Sequence, residues 1–132
     1  MGTDELTSQI IGAAMDVHSA IGPGLLEAAY EVCLEREIES LGLRAVRQVP
    51  LAVTYRGVRI DIGYRIDLLV EEDVVVEVKA LAAVRPVHKA QLLSYLRLGG
   101  YDRGLLLNFH VEHMRDGISR VTNGWNAADE EG

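Results

Sequence analysis

The chain has 132 residues, 48% hydrophobic and 25% charged, an ordinary balance for one soluble globular domain able to bury a core. Thirteen Lys and Arg against 20 Asp and Glu give a net charge of −7, which argues against tight non-specific binding to nucleic acid, because cations neutralising phosphates supply most of that affinity. Part of the acidity sits in Asp129, Glu130 and Glu131 at the chain end, and a bound metal would offset some of the remainder.

Leu6, Ile10, Ile11, Ala14, Val17, His18 and Ile21 recur three and four residues apart and predict an amphipathic helix, with Thr3 as its cap and Asp4 and Glu5 in its first turn. Gly22-Pro23-Gly24 breaks the chain, and a second helix follows from about Leu25 to Leu41, ended by Gly42. Cys33 lies on the apolar side of that helix and is expected in the core; as the single cysteine it forms no intramolecular disulfide. Val49, Leu51, Val53 and Tyr55 alternate within one strand over 46–55, and Pro50 places that strand at a sheet edge. After the Arg56-Gly57 turn, alternation from Val58 to Val70 predicts a long second strand in which Tyr64 packs, as Tyr55 does in the first. Val74 to Lys79 form a third strand. Pro86 opens a helix running to about Leu98, closed by Gly99-Gly100. Leu105, Leu106 and Leu107 read as a strand buried on both faces, and Ile118 to Val121 as a further short strand. His110 and His113 fall in a loop.

The order α-α-β-β-β-α-β implies an antiparallel three-strand meander, then a right-handed helical crossover that sets the fourth strand parallel to the third. We expect one domain over 1–132, with its core at about 4–122 and a loose tail at 123–132. No leader pattern and no apolar run near the ~20 residues of a membrane span occur, so the expectation is a cytoplasmic protein without membrane contact.

Asp67 is followed ten residues later by Glu77-Val78-Lys79, at the end of a strand that begins Val74-Val75-Val76. Alternation puts Glu77 and Lys79 on one side of the strand, an acid beside a base where packing would favour apolar residues. Such a pair suits a divalent metal held next to a cation that stabilises a phosphate. Register decides whether Asp67 joins them. A hairpin centred on Glu72 sets Asp67 opposite Glu77, whereas a tight turn on Glu71-Glu72 turns it away. The alternative reading is a solvated face on which Arg65 and Lys79 pair the two acids. On the second helix, Glu27 lies within about 20° of Leu34 and Ile38 and therefore points toward the core side, while Glu31, Glu35 and Glu39 fall on the outer face as solvating residues. Glu37 sits at the rim of the inner stripe. His88, Gln91 and Tyr95 share a face of the third helix, with His88 also readable as an exposed residue at the helix start.

Gly24-x-x-Glu27-x-x-Tyr30, Tyr64 to Val70 with Asp67 inside it, Val76-Glu77-Val78-Lys79-Ala80, Gln91 to Leu96 and Gly104 to Phe109 together resemble the GxxExxY family of the PD-(D/E)XK nuclease-like superfamily. The resemblance spans about Ile10 to Phe109 and departs at His110, where a small residue is expected after Asn-Phe. It implies an α/β fold with a restriction-endonuclease-like α-β-β-β-α-β core, a mixed sheet flanked by helices, and an extra N-terminal helix. It further implies Mg²⁺ or Mn²⁺ bound by Asp67, Glu77 and Glu27, with Lys79, Glu27 and Gln91 as catalytic residues. The activity expected is metal-dependent hydrolysis of nucleic acid, DNA ahead of RNA. The rival is a non-catalytic nuclease-like scaffold that self-associates or serves a partner protein, favoured by the net acidity and the absence of a recognisable basic arm.

Overall fold

A computed structural model describes residues 1–124 of the chain; most of the predicted loose tail, 125–132, lies outside the described residues. The elements run α1 (Thr3–Ile21), α2 (Glu27–Ser40), β1 (Ala45–Pro50), β2 (Val53–Tyr55), β3 (Val58–Ile60), β4 (Arg65–Val70), β5 (Val74–Lys79), α3 (Pro86–Gly99), β6 (Arg103–Asn108) and β7 (Ile118–Thr122), with a 3-10 turn at Met114–Gly117 before the last strand.

Five strands form one mixed sheet in the order β1-β4-β5-β6-β7, with Pro50 in an edge strand as expected. The β1, β4 and β5 strands are antiparallel neighbours, and α3 carries the chain over to β6, which runs parallel to β5. Leu68, Val70, Val76, Val78, Leu105 and Leu107 cover one face and pack beneath α1 and α2 through Ile10, Ala14, Tyr30, Leu34 and Ile38. Leu69, Val75, Leu106 and Val121 cover the other face and meet Leu92, Leu93 and Leu96 of α3. Helices on both faces explain why β5 and β6 read as continuous apolar runs. Among the described residues no helix is long and apolar enough to cross a membrane.

Three local expectations are corrected. Thr3 does not cap α1: Gly2 holds that position, and the Thr3 hydroxyl instead donates to Asp73 Oδ2 at 3.1 Å, tying the helix start to the β4–β5 loop. Cys33 is half-buried at the rim of the core. The strands expected over 46–55 and 58–70 are each cut in two, and β2 and β3 pair only with each other, as a separate ribbon around Arg56-Gly57. Both turn residues have positive φ (48° and 78°), the requirement of a two-residue hairpin turn matched to strand twist. Gly63, with φ 87°, then separates the ribbon from β4. Residues 54–65 are all exposed, so their alternation reflects strand geometry without a buried face; Tyr55 lies open to solvent, and Tyr64, also exposed, is outside the core and sets its ring against that of Tyr95.

The end of the sheet that carries β5's C-terminus is roofed by the start of α2, and Tyr30 fixes that placement. Its buried ring stacks on Phe109 with centroids 4.5 Å apart. Its hydroxyl donates to Gly22 O at 2.6 Å and accepts from Leu25 N at 3.1 Å, closing the Gly22-Pro23-Gly24 turn from below. Replacing Tyr30 by Phe keeps the stacking and strands two backbone groups, so stability should fall by about 1–2 kcal/mol. Urea titration of Tyr30→Phe checks this; an unchanged midpoint would show that the turn holds without the hydroxyl.

Candidate functional site

The β4–β5 hairpin turns through Glu71, Glu72 and Asp73, with φ of 53° at Glu71 and 54° at Glu72 supplying the reversal. Its ladder pairs Val70 with Val74, Leu69 with Val75 and Leu68 with Val76, and there it stops. This is the register centred on Glu72, so the next positions across the gap are Asp67 and Glu77. Side chains take over the bonding. Asp67 Oδ2 accepts the Val78 N–H at 2.8 Å, and Glu77 Oε2 accepts the Asp67 N–H at 3.3 Å. The two strands part at the level where the carboxyl groups enter.

A break on the other side of β4 accompanies this parting. Gln48 stands opposite Asp67 in β1 with φ 56° and no ladder partner, although Arg47↔Leu68 and Val49↔Ile66 keep the register on either side. Residues two apart in a regular strand share a face. Here Leu68 packs beneath α1 and α2, whereas Ile66 packs against the α3 side. Asp67 occupies the switch between faces, reaching β5 on one side and the cleft under α2 on the other.

Glu77 is only 5% exposed. Burial, then the hydrogen bond and negative charge of Asp67, raise its carboxyl to about 9, against a weaker opposing pull from the Lys79 ammonium. In the protein alone burial and the neighbouring Asp67 therefore favour the neutral form of Glu77. Lys79 is half-buried and one alternation along from Glu77, on the same side of β5. Asn108, level with Lys79 in the parallel pair, clamps the chain just beyond it: Oδ1 accepts Leu81 N at 2.9 Å and Nδ2 donates to Leu81 O at 3.0 Å. The strand exit after Asn108 is thereby set, and the His110 N–H also donates to Asn108 Oδ1, at 3.2 Å, so the unusual residue there uses only its backbone.

Glu27 begins α2 and is exposed, not turned into the core; the helix overhangs the sheet edge at its first turn, so the inner stripe starts at Tyr30. Its Oε1 accepts the Ala80 N–H at 3.3 Å, which brings it to the end of β5. Glu27, Glu31, Gln48, Asp67 and Ala80 line one cleft of about 610 Å³, roofed by Leu25 and Leu26. The outer-face expectation for Glu31 is overturned: it is buried, and its Oε1 accepts from Arg47 Nε at 3.2 Å and Gln48 Nε2 at 2.8 Å. The signal was available, since four residues at 3.6 per turn put Glu31 only about 40° from Glu27.

On α3, Gln91 is exposed and its Nε2 donates to the Tyr95 hydroxyl at 3.3 Å. Tyr95 is buried, and its hydroxyl is pushed up by desolvation and then by the charges of Glu77, Tyr64 and Asp67. Gln91 thus approaches the acids through Tyr95. His88 belongs to the helix start, where Nδ1 accepts the Arg85 N–H at 2.8 Å. Among the described residues no three His, Cys, Asp or Glu side chains form a ready metal cluster: Asp67 and Glu77 meet each other, while Glu27 rests on Ala80. The donors are nonetheless of the right kind, because hard divalent cations take carboxylate oxygens and a facing carboxyl pair needs a proton or a cation between its members.

A family model described as the PD-(D/E)XK nuclease superfamily matches residues 4–121. The chain belongs to that superfamily. No curated protein and no solved structure matches it. Its mixed five-stranded sheet with three helices agrees with the restriction-endonuclease-like fold. PD-(D/E)XK nucleases generally use divalent metal ions. The expected acids and lysine, Asp67, Glu77 and Lys79, lie on β4 and β5 within the matched residues.

The Glu77 shift has a definite sign in stability. A folded-state value raised from 4.5 to about 9 adds stability that is complete below 4.5 and is lost as pH climbs toward 9. Glu77→Gln stays neutral throughout. In EDTA its melting temperature should exceed that of wild type by roughly 5 °C or more at pH 8, with the gap closing near pH 4.5. Melts across that range test it, and parallel curves for the two proteins would show that Glu77 is not held protonated.

Proposed function

We propose that this chain is a divalent-metal-dependent nuclease that hydrolyses phosphodiester bonds in nucleic acid, and that it lies in the GxxExxY branch of its superfamily. One observation carries the reading: Asp67 and Glu77 are held against each other where β4 and β5 part, with Lys79 next on the same side. A buried pair of like charges destabilises the fold, and packing would be better served by apolar residues. Mg²⁺ or Mn²⁺ held by Asp67 and Glu77, with Glu27 across the cleft, would supply charge neutralisation and activation of a water.

The chain's own residues do the rest. Asp67 is fixed by the Val78 N–H, and the Glu77 carboxyl by the Asp67 N–H, so neither has to reorganise to receive positive charge. Lys79 brings an ammonium beside the acids, where it stabilises oxygens that gain charge as the phosphodiester is attacked. Glu27 lines the cleft, held by the Ala80 N–H, where its carboxylate would orient a water. Arg47 neutralises Glu31 and Gln48 donates a hydrogen bond to it, which limits the negative charge that the cleft shows to a phosphate. The Tyr95–Gln91 pair forms the polar wall on the α3 side. The GxxExxY motif matches the mechanics of this site: Gly24 turns the chain, Glu27 enters the cleft and Tyr30 locks the turn.

A second reading, a nuclease-like scaffold without activity, draws on Glu27 standing apart from the other two acids. The two readings separate cleanly. Purified protein with Mg²⁺ or Mn²⁺ should cut single- or double-stranded DNA or RNA, and Asp67→Ala, Glu77→Ala and Lys79→Ala should each lose at least about 10²-fold in rate while remaining folded. Calorimetry should find Mn²⁺ binding in wild type and none in Asp67→Ala. No cleavage of any of the four substrates, with no Mn²⁺ bound, would leave only the scaffold.

A further inference from the structure

The charge of −7 is not spread evenly along the chain. Residues 44–65 hold five arginines against Asp61 alone, a local net of +4 inside a remainder of −11. Arg44 and Arg47 are engaged by Glu72 and Glu31. The other three stand on the β2–β3 ribbon and its return into β4. Arg56 lies over the Tyr55 ring at 5.4 Å. Arg59 meets Asp61 at 3.6 Å, with both side chains over 70% exposed, a pairing of little worth in water. Arg65 reaches Gln48 O only at 3.5 Å.

A two-stranded ribbon with neither face packed is marginal in water, yet this one displays Tyr55 at 59% exposure, Ile62 at 57% and Tyr64 at 41%. Its root is at the candidate site. Arg65 precedes Asp67 by two residues and bonds to Gln48, which lines the cleft; the Tyr64 ring lies 5.8 Å from that of Tyr95, beside the acids.

We infer that the β2–β3 ribbon is an arm that grips single-stranded nucleic acid, its arginines on phosphates and its exposed tyrosines stacked on bases, and leads the strand to Asp67 and Glu77. The inference rests on the nuclease reading and names how the substrate is held. Arginines interleaved with open aromatic rings suit an unpaired strand, whose bases offer free faces. A narrow basic arm on an otherwise acidic body also disfavours the broad contact that a duplex needs. Pairing of two arms in a dimer would set Arg56, Arg59 and Arg65 less Asp61, +2, against +2, which argues against self-association through this surface.

Fluorescence anisotropy with a labelled single-stranded oligonucleotide, in EDTA so that cleavage plays no part, tests the arm. Relative to wild type, Arg56→Ala/Arg59→Ala/Arg65→Ala should bind at least roughly tenfold more weakly, and its dependence of log affinity on log salt should be shallower by about 2. Its melting temperature should stay within a few degrees of wild type, because all three side chains are exposed. Tyr55→Ala should weaken binding severalfold without changing the salt slope. Equal binding by wild type and the triple variant overturns the arm and leaves the nuclease standing. If wild type binds no strand at all, the arm is overturned, and a cleavage assay with Mg²⁺ decides separately whether the nuclease falls with it. Should Tyr55→Ser/Val58→Ser/Ile62→Ser turn a dimer into a monomer in sedimentation while strand binding is intact, the ribbon is a self-association surface and the inference fails.

Discussion

Two carboxyl groups brought together at a buried point where strands part set the terms for this structure. Asp67 and Glu77 approach where backbone pairing between β4 and β5 ends, and their side chains accept the amide protons that the ladder no longer uses. The divergence of the strands and the convergence of the acids are therefore one event. Had the ladder continued, Val78 N–H would have needed a carbonyl partner and the Asp67 carboxylate would have been left to one face of the sheet. The opposing break at Gln48 serves the same end from the other side, since it lets β4 change faces without losing its register with β1.

The helical layer is organised around that opening. Tyr30 is buried by α1, α2 and Phe109 and spends its hydroxyl on the preceding turn, so a core residue determines where a surface residue, Glu27, is delivered. On the opposite side of β5, Asn108 clamps Leu81 through both ends of its amide. The Ala80 N–H that Glu27 uses is thus fixed from two directions. Neither Tyr30 nor Asn108 touches the acid pair in the hydrogen bonds observed, yet both act on it through the backbone they hold.

Much of this was legible in the residues themselves. The helical periods of α1 and α3, the β5 strand and the parallel step to β6 follow from patterns that a buried face imposes, and burial is what makes such patterns strict; the register about Glu72 was one of two the residues allowed, and the structure decides it. The misreadings share the opposite cause. Alternation through 53–64 looks like strand because the ribbon is strand, but with no face buried nothing in the pattern marks where one sheet ends and another begins. Gln48 gives no warning of a positive φ, a conformation that follows from its place across from Asp67 and from no local preference. Glu31 was misplaced for another reason. A charged residue was assumed to face water, although its angle on the helix put it inside the buried stripe and Arg47 and Gln48, distant in sequence, wait there to receive it.

Net charge misleads in a related way. A total of −7 speaks against nucleic acid only if charge is averaged over the surface, and phosphates respond to local potential over roughly a Debye length of about 8–10 Å. Of the five arginines within residues 44–65, Arg44 and Arg47 are engaged by Glu72 and Glu31, whereas Arg56 and Arg59 belong to the exposed ribbon and Arg65 to the entry to β4, two residues before Asp67 of the cleft. The acids elsewhere, on helix faces and the β4–β5 turn, would repel a polyanion from the rest of the body. On the proposed function, an acidic body with one basic edge would leave a strand few places to settle, and the ribbon would lead it to Asp67.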